Sequence, residues 1–193
     1  MTACRRATPA LLLAATLLCG HAGAAQLGLA QLFDALSKHK PGRATFHERK
    51  HLALLDKPVE SSGELEFTPP DRLEKRTLKP RPERVVAERD RITLERGGKT
   101  YTMGLRENPA VAVLIESIRA TLAGDLPALT RTYSAALDGN EAQWRLVLRP
   151  LDPSLGTLVE RVEIRGAQSL VRTVEIFQAD GDRSVMTITP GTR

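Results

Sequence analysis

The sequence predicts an α+β domain built on one highly curved antiparallel sheet with its helices on one side. Two patterns support this. Short segments of alternating apolar and polar residues recur in the first and last thirds of the chain, and the middle carries apolar residues at helical spacing. The resulting order is a helix, about six strands, two helices and about four strands. One sheet whose helices cover a single face accommodates that order.

The N-terminal segment predicts export from the cytoplasm. Arg5 and Arg6 are followed by the uncharged apolar run 10–19 and by the small residues Ala22-Gly23-Ala24. This is the layout of a secretory signal peptide, and the apolar run is short for a membrane span. We therefore expect a signal peptide over residues 1–24, cleaved after Ala24 or Ala25, and one periplasmic domain over residues 25–193. An N-terminal membrane anchor is the alternative.

Cysteine positions and net charge limit the chemistry of the exported chain. The two cysteines, Cys4 and Cys19, both lie in the leader, so the mature domain has no disulfide and no thiolate metal site. Removing Arg5 and Arg6 with the leader lowers the net charge of +5 by two. The remaining excess of positive charge is too small to indicate a nucleic-acid partner.

A short amphipathic helix follows the leader. Leu29, Leu32, Phe33 and Leu36 fall at i, i+3, i+4 and i+7 and form one apolar stripe. The dipeptide Pro41-Gly42 is predicted to end it, since neither residue favours continuation of a helix.

Period-two alternation takes over after this helix. It is clearest in residues 63–67, 92–95 and 101–105, where apolar residues alternate with polar ones. Each segment is predicted to be an antiparallel strand with one dry face and one wet face. Turn residues separate the strands at regular intervals, at Pro69-Pro70-Asp71, Pro80-Arg81-Pro82 and Gly97-Gly98.

The middle of the chain is predicted to hold a helix pair. The first helix begins at Asn108-Pro109 and ends at Gly124. Asp125 then offers an N-cap for a second helix through Leu137, which the turn 138–140 closes. The first helix carries a stripe that is too apolar to face water, made of Val111, Leu114, Ile115, Ile118 and Leu122.

Strands are predicted to resume at Trp144 and to continue to residue 188. Hairpin turns are expected at Gly166-Ala167 and at Asp180-Gly181-Asp182. Apolar residues alternate with polar ones along these strands, as in Trp144, Leu146 and Leu148, in Val162 with Ile164, in Val174 with Ile176, and in Met186 with Ile188.

Catalytic and metal-binding motifs receive little support. His47-Glu48-Arg49-Lys50-His51 matches H-E-x-x-H, but that zinc motif requires a helix, and this segment is predicted to be a strand. On a strand the two imidazoles lie about 13 Å apart, too far to ligate one ion. No nucleophile elbow or phosphate-binding loop is found. We therefore expect no enzyme activity, no metal and no cofactor.

Two groups of motifs give the chain a family resemblance. The first is Phe46, the strand 62–67, the turn Pro69-Pro70-Asp71 and Arg72-Leu73-Glu74. The second is the strand 144–150, paired hairpins and Asp180-Gly181. Their order and spacing over residues 43–189 resemble the LolA-like outer-membrane lipoprotein carriers.

The resemblance implies a half-closed β-barrel whose helices form a lid over an apolar concave face. It also implies a monomeric carrier of the acyl chains of lipoproteins or lipids, with an inner-membrane exporter as donor and an outer-membrane acceptor. Arg72 is the residue that matches the family's arginine that holds the lid through helix carbonyls. The lid helix would contribute Val111, Leu114, Ile115, Ile118 and Leu122. The acyl-binding face would comprise Leu65, Phe67, Leu94, Met103, Trp144, Leu146, Leu148, Val162 and Ile164.

Two other interpretations of the pattern stay open at this stage. Alternation is equally typical of a plain sandwich with a dry core, which would make the chain a structural envelope protein. An envelope-stress or lipid-sensing module of the same fold is a further alternative.

As the only tryptophan, Trp144 is expected to report ligand binding if its side chain faces a cavity.

Overall fold

The computed structural model describes residues 26–38 and 42–191. The signal peptide predicted for residues 1–24 lies outside these ranges. The predicted fold class is confirmed, since helices cover one face of a single antiparallel sheet. The elements, in chain order, are α1 (Leu29–Ser37), β1 (Gly42–His51), β2 (Val59–Thr68), β3 (Arg72–Lys79), β4 (Glu83–Glu88), β5 (Arg91–Arg96), β6 (Lys99–Gly104), a 3-10 turn (Leu105–Glu107), α2 (Pro109–Ala123), α3 (Leu126–Thr132), β7 (Tyr133–Asn140), β8 (Gln143–Pro150), α4 (Pro153–Gly156), β9 (Val159–Ala167), β10 (Leu170–Gln178) and β11 (Arg183–Pro190).

The sheet is continuous and open. Its eleven strands lie in the order β6-β5-β4-β3-β2-β1-β11-β10-β9-β8-β7, so the first and last strands of the chain pair at its centre. β6 and β7 are the two edges, and the chain between them must pass from one edge to the other. That connection consists of the 3-10 turn, α2 and α3, which therefore cross one face of the sheet.

The helix α2 has the boundaries that its sequence predicts. The Asn108 side chain accepts a hydrogen bond from the backbone N–H of Val111, and Gly124 ends the helix in the left-handed conformation at φ 69°. α2 packs against both halves of the sheet, with Val113 in one apolar cluster and Ile115 against the other. A single helix can contact both halves because the sheet curves around it.

No helix within residues 26–38 and 42–191 has the length and apolar character of a membrane span.

The predicted extent of the second helix is wrong. α3 ends at Thr132, and residues 133–140 form β7, so the second half of the sheet has five strands. Ala135, Ala136 and Leu137 favour a helix by intrinsic propensity, but here they pair with β8, with Leu137 opposite Leu146. Pairing with a buried strand outweighs a local preference of a few tenths of a kcal/mol per residue.

The β9–β10 hairpin turn also differs from its prediction. It lies at Gln168-Ser169, and Gly166 remains inside β9. A Cβ at Gly166 would stand 2.2 Å from the Trp144 ring. The glycine therefore admits the close approach of the indole and does not make the turn.

The core is divided between the two halves of the sheet. The larger cluster joins α1, α2 and α3 to β7–β10, and its members include Leu32, Leu129, Tyr133 and Trp144. A smaller cluster around Ala87, Ile92 and Leu105 fills the space beside β4–β6. Between the two clusters the concave face is less completely filled, which positions the candidate site.

The convex face of the second half carries ion pairs in place of helices. Glu163 accepts hydrogen bonds from Arg145, Arg161 and Arg165, and only 3% of its side chain is exposed. The hydrogen bond from Arg145, with those of the other arginines, overcomes desolvation and lowers the pKa of Glu163 from 4.5 to about 2. On this solvent-facing side of the sheet, the buried carboxylates therefore have charged hydrogen-bond donors.

We expect Glu163→Gln to remove part of the acid sensitivity of the fold. A carboxylate with a lowered folded-state pKa stabilises the protein fully above its unfolded-state pKa, and this contribution is lost as the pH falls from about 4.5 to about 2. Over that window the free energy of unfolding of the wild-type protein should therefore fall by on the order of 2 kcal/mol more than that of the variant. Thermal melts across the window measure the difference. Glu160→Gln is the control, because Glu160 is 56% exposed and, among the described residues, pairs with Arg161 alone. Equal acid sensitivity of Glu163→Gln and wild type would contradict the expectation.

Candidate functional site: an apolar cavity under α2

An apolar cavity lies between the concave face and α2. Its volume is about 310 Å³, within the lower range of small-molecule sites. Strands from both halves of the sheet form its floor, and one side of α2 forms its roof. Its apolar walls include Leu36, Ala44, Leu65, Phe67, Leu73, Val85, Ile115, Ile118, Leu122, Ile164, Leu170, Val171, Val174, Ile176, Met186 and Ile188.

The way α2 packs explains why this space is not filled. Its most deeply buried positions include the small residues Ser117, Ala120 and Thr121. The larger side chains of Ile118 and Leu122 are only partly buried and border the cavity. The small residues of α2 therefore make its closest contacts with the rest of the protein, and its large aliphatic side chains face open space. In a close-packed core the large aliphatic side chains would fill that space.

The structure brings together six of the fifteen residues that the sequence assigns to the acyl-binding face and lid. Two of the other nine, Leu94 and Met103, are partly buried on β5 and β6, and Met103 packs against the smaller cluster. Val111 packs there too, and Leu114 packs against the larger cluster. The six around the cavity are Leu65, Phe67, Ile115, Ile118, Leu122 and Ile164.

Four residues assigned to the acyl-binding face lie in the packed core instead. Trp144, Leu146, Leu148 and Val162 are each at most 1% exposed and do not line the cavity. The Trp144 indole N–H donates to the backbone oxygen of Gln168 at 2.9 Å. Trp144 therefore does not border the cavity, because α1 and α3 cover this half of the sheet and fill the space above it.

A polar group stands within this mainly apolar region. Lys75 lines the cavity, and its Nζ lies 4.8 Å from the centre of the Phe46 ring and donates to Glu48. Glu48 is 9% exposed and also accepts from Ser184 at 2.6 Å. Burial raises the pKa of Glu48, but the charge and hydrogen bond of Lys75 and the hydrogen bond of Ser184 outweigh it, so the net pKa is lowered. The pair thus remains ionic, and Lys75 keeps donors for a polar atom of a ligand.

Sequence reasoning missed this polar group, although the strand pattern contains a signal for it. Glu48 stands two residues after Phe46, and Lys75 stands two residues after Leu73, so each charge is in phase with an apolar residue on its strand. Gly63 lies on the strand between them, paired with Phe46 and Thr77, and its missing Cβ admits the backbone of Arg76, whose oxygen would stand 1.9 Å from a Cβ at this position.

Within the described residues, Arg72 makes no hydrogen bond to the helix carbonyls that the resemblance assigns to it, and it pairs with a neighbouring glutamate on β3 instead. Its Nη2 donates to Glu74 at 2.7 Å, and Glu74 also holds Arg84 through two hydrogen bonds. Among the hydrogen bonds of the described residues, none joins Arg72 to a carbonyl of α2 or α3. Arg72 alternates with the concave-facing Leu73 and Lys75 along β3, and that phase directs its side chain to the opposite face.

A different arginine connects α2 to the sheet. Arg119 of α2 is 6% exposed, and its Nη1 donates to the backbone oxygen of Arg89 in the β4–β5 turn at 2.7 Å. Its Nε and Nη2 are buried and have no hydrogen-bond partner among the described residues. Burial lowers the pKa of Arg119, whereas Glu116, Asp71 and Glu88 raise it. Its signal in the sequence is a charge four residues after Ile115, in phase with the apolar stripe.

The H-E-x-x-H segment lies on β1, as its strand prediction requires. His47 and His51 are exposed, and the Nε2 of His47 stands 3.7 Å from Glu60. Within residues 26–38 and 42–191, no group of three or more His, Cys, Asp and Glu residues is placed to hold a metal ion. The expected absence of a zinc site stays a prediction.

Solved structures with a similar overall fold come from several bacteria. A LolA superfamily protein from Nitrosomonas europaea is 9% identical, with 83% of this chain and 90% of that chain covered and a TM-score of 0.44. A putative outer-membrane lipoprotein-sorting protein domain from Vibrio parahaemolyticus is 11% identical, with coverages of 85% and 91% and a TM-score of 0.48. LprF from Mycobacterium bovis is 15% identical, with coverages of 86% and 93% and a TM-score of 0.36. No curated protein matches the sequence.

The family comparison is independent of these structures and covers most of the chain. The model of the family described as outer-membrane lipoprotein carrier protein LolA-like matches residues 21–192. The match begins within the predicted leader and extends through β11. The chain therefore belongs to the LolA-like family of outer-membrane lipoprotein carrier proteins.

Proposed function

We propose that the exported domain is a periplasmic carrier that binds acyl chains of lipoproteins or lipids in the cavity under α2 and moves them toward the outer membrane. The observation that carries this proposal is the cavity of about 310 Å³, whose walls are aliphatic side chains left partly buried. Each methylene removed from water contributes about 0.8 kcal/mol to the free energy of binding. Burial of a long acyl chain in such a cavity is therefore strongly favoured over its exposure to water.

The position of α2 supports a role as the lid. It is the roof of the cavity, and it crosses between two sheet edges that do not pair with each other. Tyr133 donates from its hydroxyl to the backbone oxygen of Val113 near the start of α2, whereas Arg119 makes a single hydrogen bond nearer its end. We propose that the C-terminal half of α2, with Ile118 and Leu122, moves to admit the ligand.

The remaining parts of the proposal concern location and partners. The leader predicted for residues 1–24 would deliver the domain to the periplasm, where an inner-membrane exporter would load it and an outer-membrane acceptor would unload it. Family membership supports these steps, and the proposal assigns no catalytic role to the domain.

Lipid extraction and ligand displacement test the proposal. Protein purified from the periplasm without detergent is expected to contain acyl lipid, detectable by mass spectrometry of an organic extract. The delipidated protein should bind a fluorescent fatty-acid analogue at about one site, and a lipopeptide carrying acyl chains should displace it. Unmodified peptide of the same sequence is the control. Absence of both co-purified lipid and displaceable binding would overturn the carrier role and favour a domain with a dry core.

A further inference from the structure

One rim of the sheet gathers nearly all the large apolar side chains that the described residues expose. The rim consists of the β1–β2, β3–β4, β5–β6, β8–β9 and β10–β11 connections, which antiparallel pairing places side by side at the same strand ends. The exception is Tyr101, which lies within β6. The rim residues are Leu54, Leu55, Val59, Leu78, Leu151 and Leu158.

The most exposed of these leucines stand on a loop with fixed geometry. Leu54 is 97% exposed and Leu55 is 52% exposed. The Leu55 N–H donates to the Leu52 backbone oxygen at 2.9 Å, and the Ala53 N–H donates to the Asp182 carboxylate at 2.9 Å. The loop is thus tied to the β10–β11 turn and holds two neighbouring leucines in water, which is unfavourable unless another apolar phase receives them.

Positive charge surrounds these leucines on the β1–β6 side of the rim. Lys57, Lys79, Arg81 and Lys99 are exposed on or beside its three connections there. Within the part of the chain that the structure describes, none of the four forms an ion pair. Asp56 is the acidic residue within these loops, and Glu83 at the start of β4 pairs with Arg96.

We propose that this rim docks on the surface of a bilayer that contains anionic lipids. Leu54 and Leu55 would enter the apolar boundary of the headgroup region, and the four cations would contact lipid phosphates. Apolar tips flanked by cations are the combination that anionic lipid interfaces attract, and neither component alone gives a firm attachment. An acidic protein surface would satisfy the cations but would leave the leucine tip in water, so the bilayer is the occupant that suits both.

The rim borders one end of the cavity, whose other end, at Gly42, Phe67 and Pro190, lies at the opposite strand ends. Glu83 and Ser184 line the cavity, and both lie at strand ends on this rim. Docking would bring that end of the cavity, with Lys75 and Glu48 nearby, toward the lipid headgroups. The inference concerns a surface outside the cavity, so it does not depend on what the cavity binds.

Vesicle co-sedimentation of the full mature domain tests the docking surface. Delipidated protein is expected to sediment with vesicles of phosphatidylcholine containing about a third phosphatidylglycerol, and to bind phosphatidylcholine vesicles at least tenfold more weakly. Leu54→Ser/Leu55→Ser and Lys79→Gln/Arg81→Gln should each lower the binding to anionic vesicles at least tenfold. Salt at 0.5 M should weaken binding of the wild type, since it screens exposed charges.

Controls separate this inference from the carrier proposal. Tyr101→Ser removes a 49% exposed aromatic residue that lies off the rim and should sediment like wild type. The Leu54→Ser/Leu55→Ser variant should keep wild-type thermal stability and wild-type affinity for the fluorescent fatty acid. Absence of wild-type sedimentation, equal binding to neutral vesicles, or unchanged binding of the leucine variant would each overturn the docking surface.

Discussion

Replacing Ala44 by phenylalanine is expected to lower acyl-chain affinity by about tenfold or more while the domain stays folded. Ala44 lies on β1 between Leu65 and Pro190, and all three line the cavity. A phenyl ring at this position would occupy the space that the ligand needs. Burying the ring contributes about 1.5–3 kcal/mol, so the melting temperature of the empty protein should stay constant or rise.

The same substitution distinguishes a cavity from a dry core. Adding a ring to a filled core costs about 1–3 kcal/mol through strain, so a marked fall in melting temperature would contradict the cavity. Thr45→Phe is the matched control, because Thr45 is the exposed neighbour on the other face of β1. It should leave both the affinity for the fluorescent fatty acid and the melting temperature near their wild-type values.

Arg119→Met is expected to close the lid more firmly and to slow ligand release by about tenfold. The closed structure buries two guanidinium nitrogens of Arg119 without partners, and each unmet donor costs about 1–3 kcal/mol. The single bond to the Arg89 carbonyl contributes about 1.5–3 kcal/mol. Methionine keeps most of the apolar contacts of the Arg119 methylene groups and removes the two unpaired nitrogen donors. It also removes the one hydrogen bond to Arg89.

Hydrogen exchange and stopped-flow release measure this effect. Amide exchange across residues 109–123 should slow in Arg119→Met, and the fluorescent fatty acid should dissociate more slowly. Faster exchange would mean instead that the bond from Arg119 to Arg89 holds the lid closed. Arg72→Met is the control, and since Arg72 pairs with Glu74 on β3, exchange in α2 should not change.

Local chemistry accounts for most of the elements that the sequence predicts correctly. Asn108 and Gly124 set the ends of α2 because an N-cap acceptor and a left-handed C-terminal residue act within one turn of chain. Phe46 and His47 alternate between buried and exposed on β1 because the period of a strand is two residues. The family motifs depend on the same local features, and the family match confirms the resemblance.

The site itself required the tertiary structure, because alternation identifies a dry face without saying what covers it. Leu65 and Leu146 have the same pattern, yet Leu65 borders a cavity and Leu146 is fully buried. The difference arises because α1 and α3 pack over β7–β10, whereas the centre of the sheet is covered mainly by α2, with Leu36 at the edge of α1, and a cavity remains there. The sequence by itself determined most of the strands, the main helix and the family, but not β7, which it assigned to a helix. The tertiary structure decided which apolar residues remain unpacked and that Arg119, not Arg72, joins the helix to the sheet, since both depend on contacts between residues far apart in the chain.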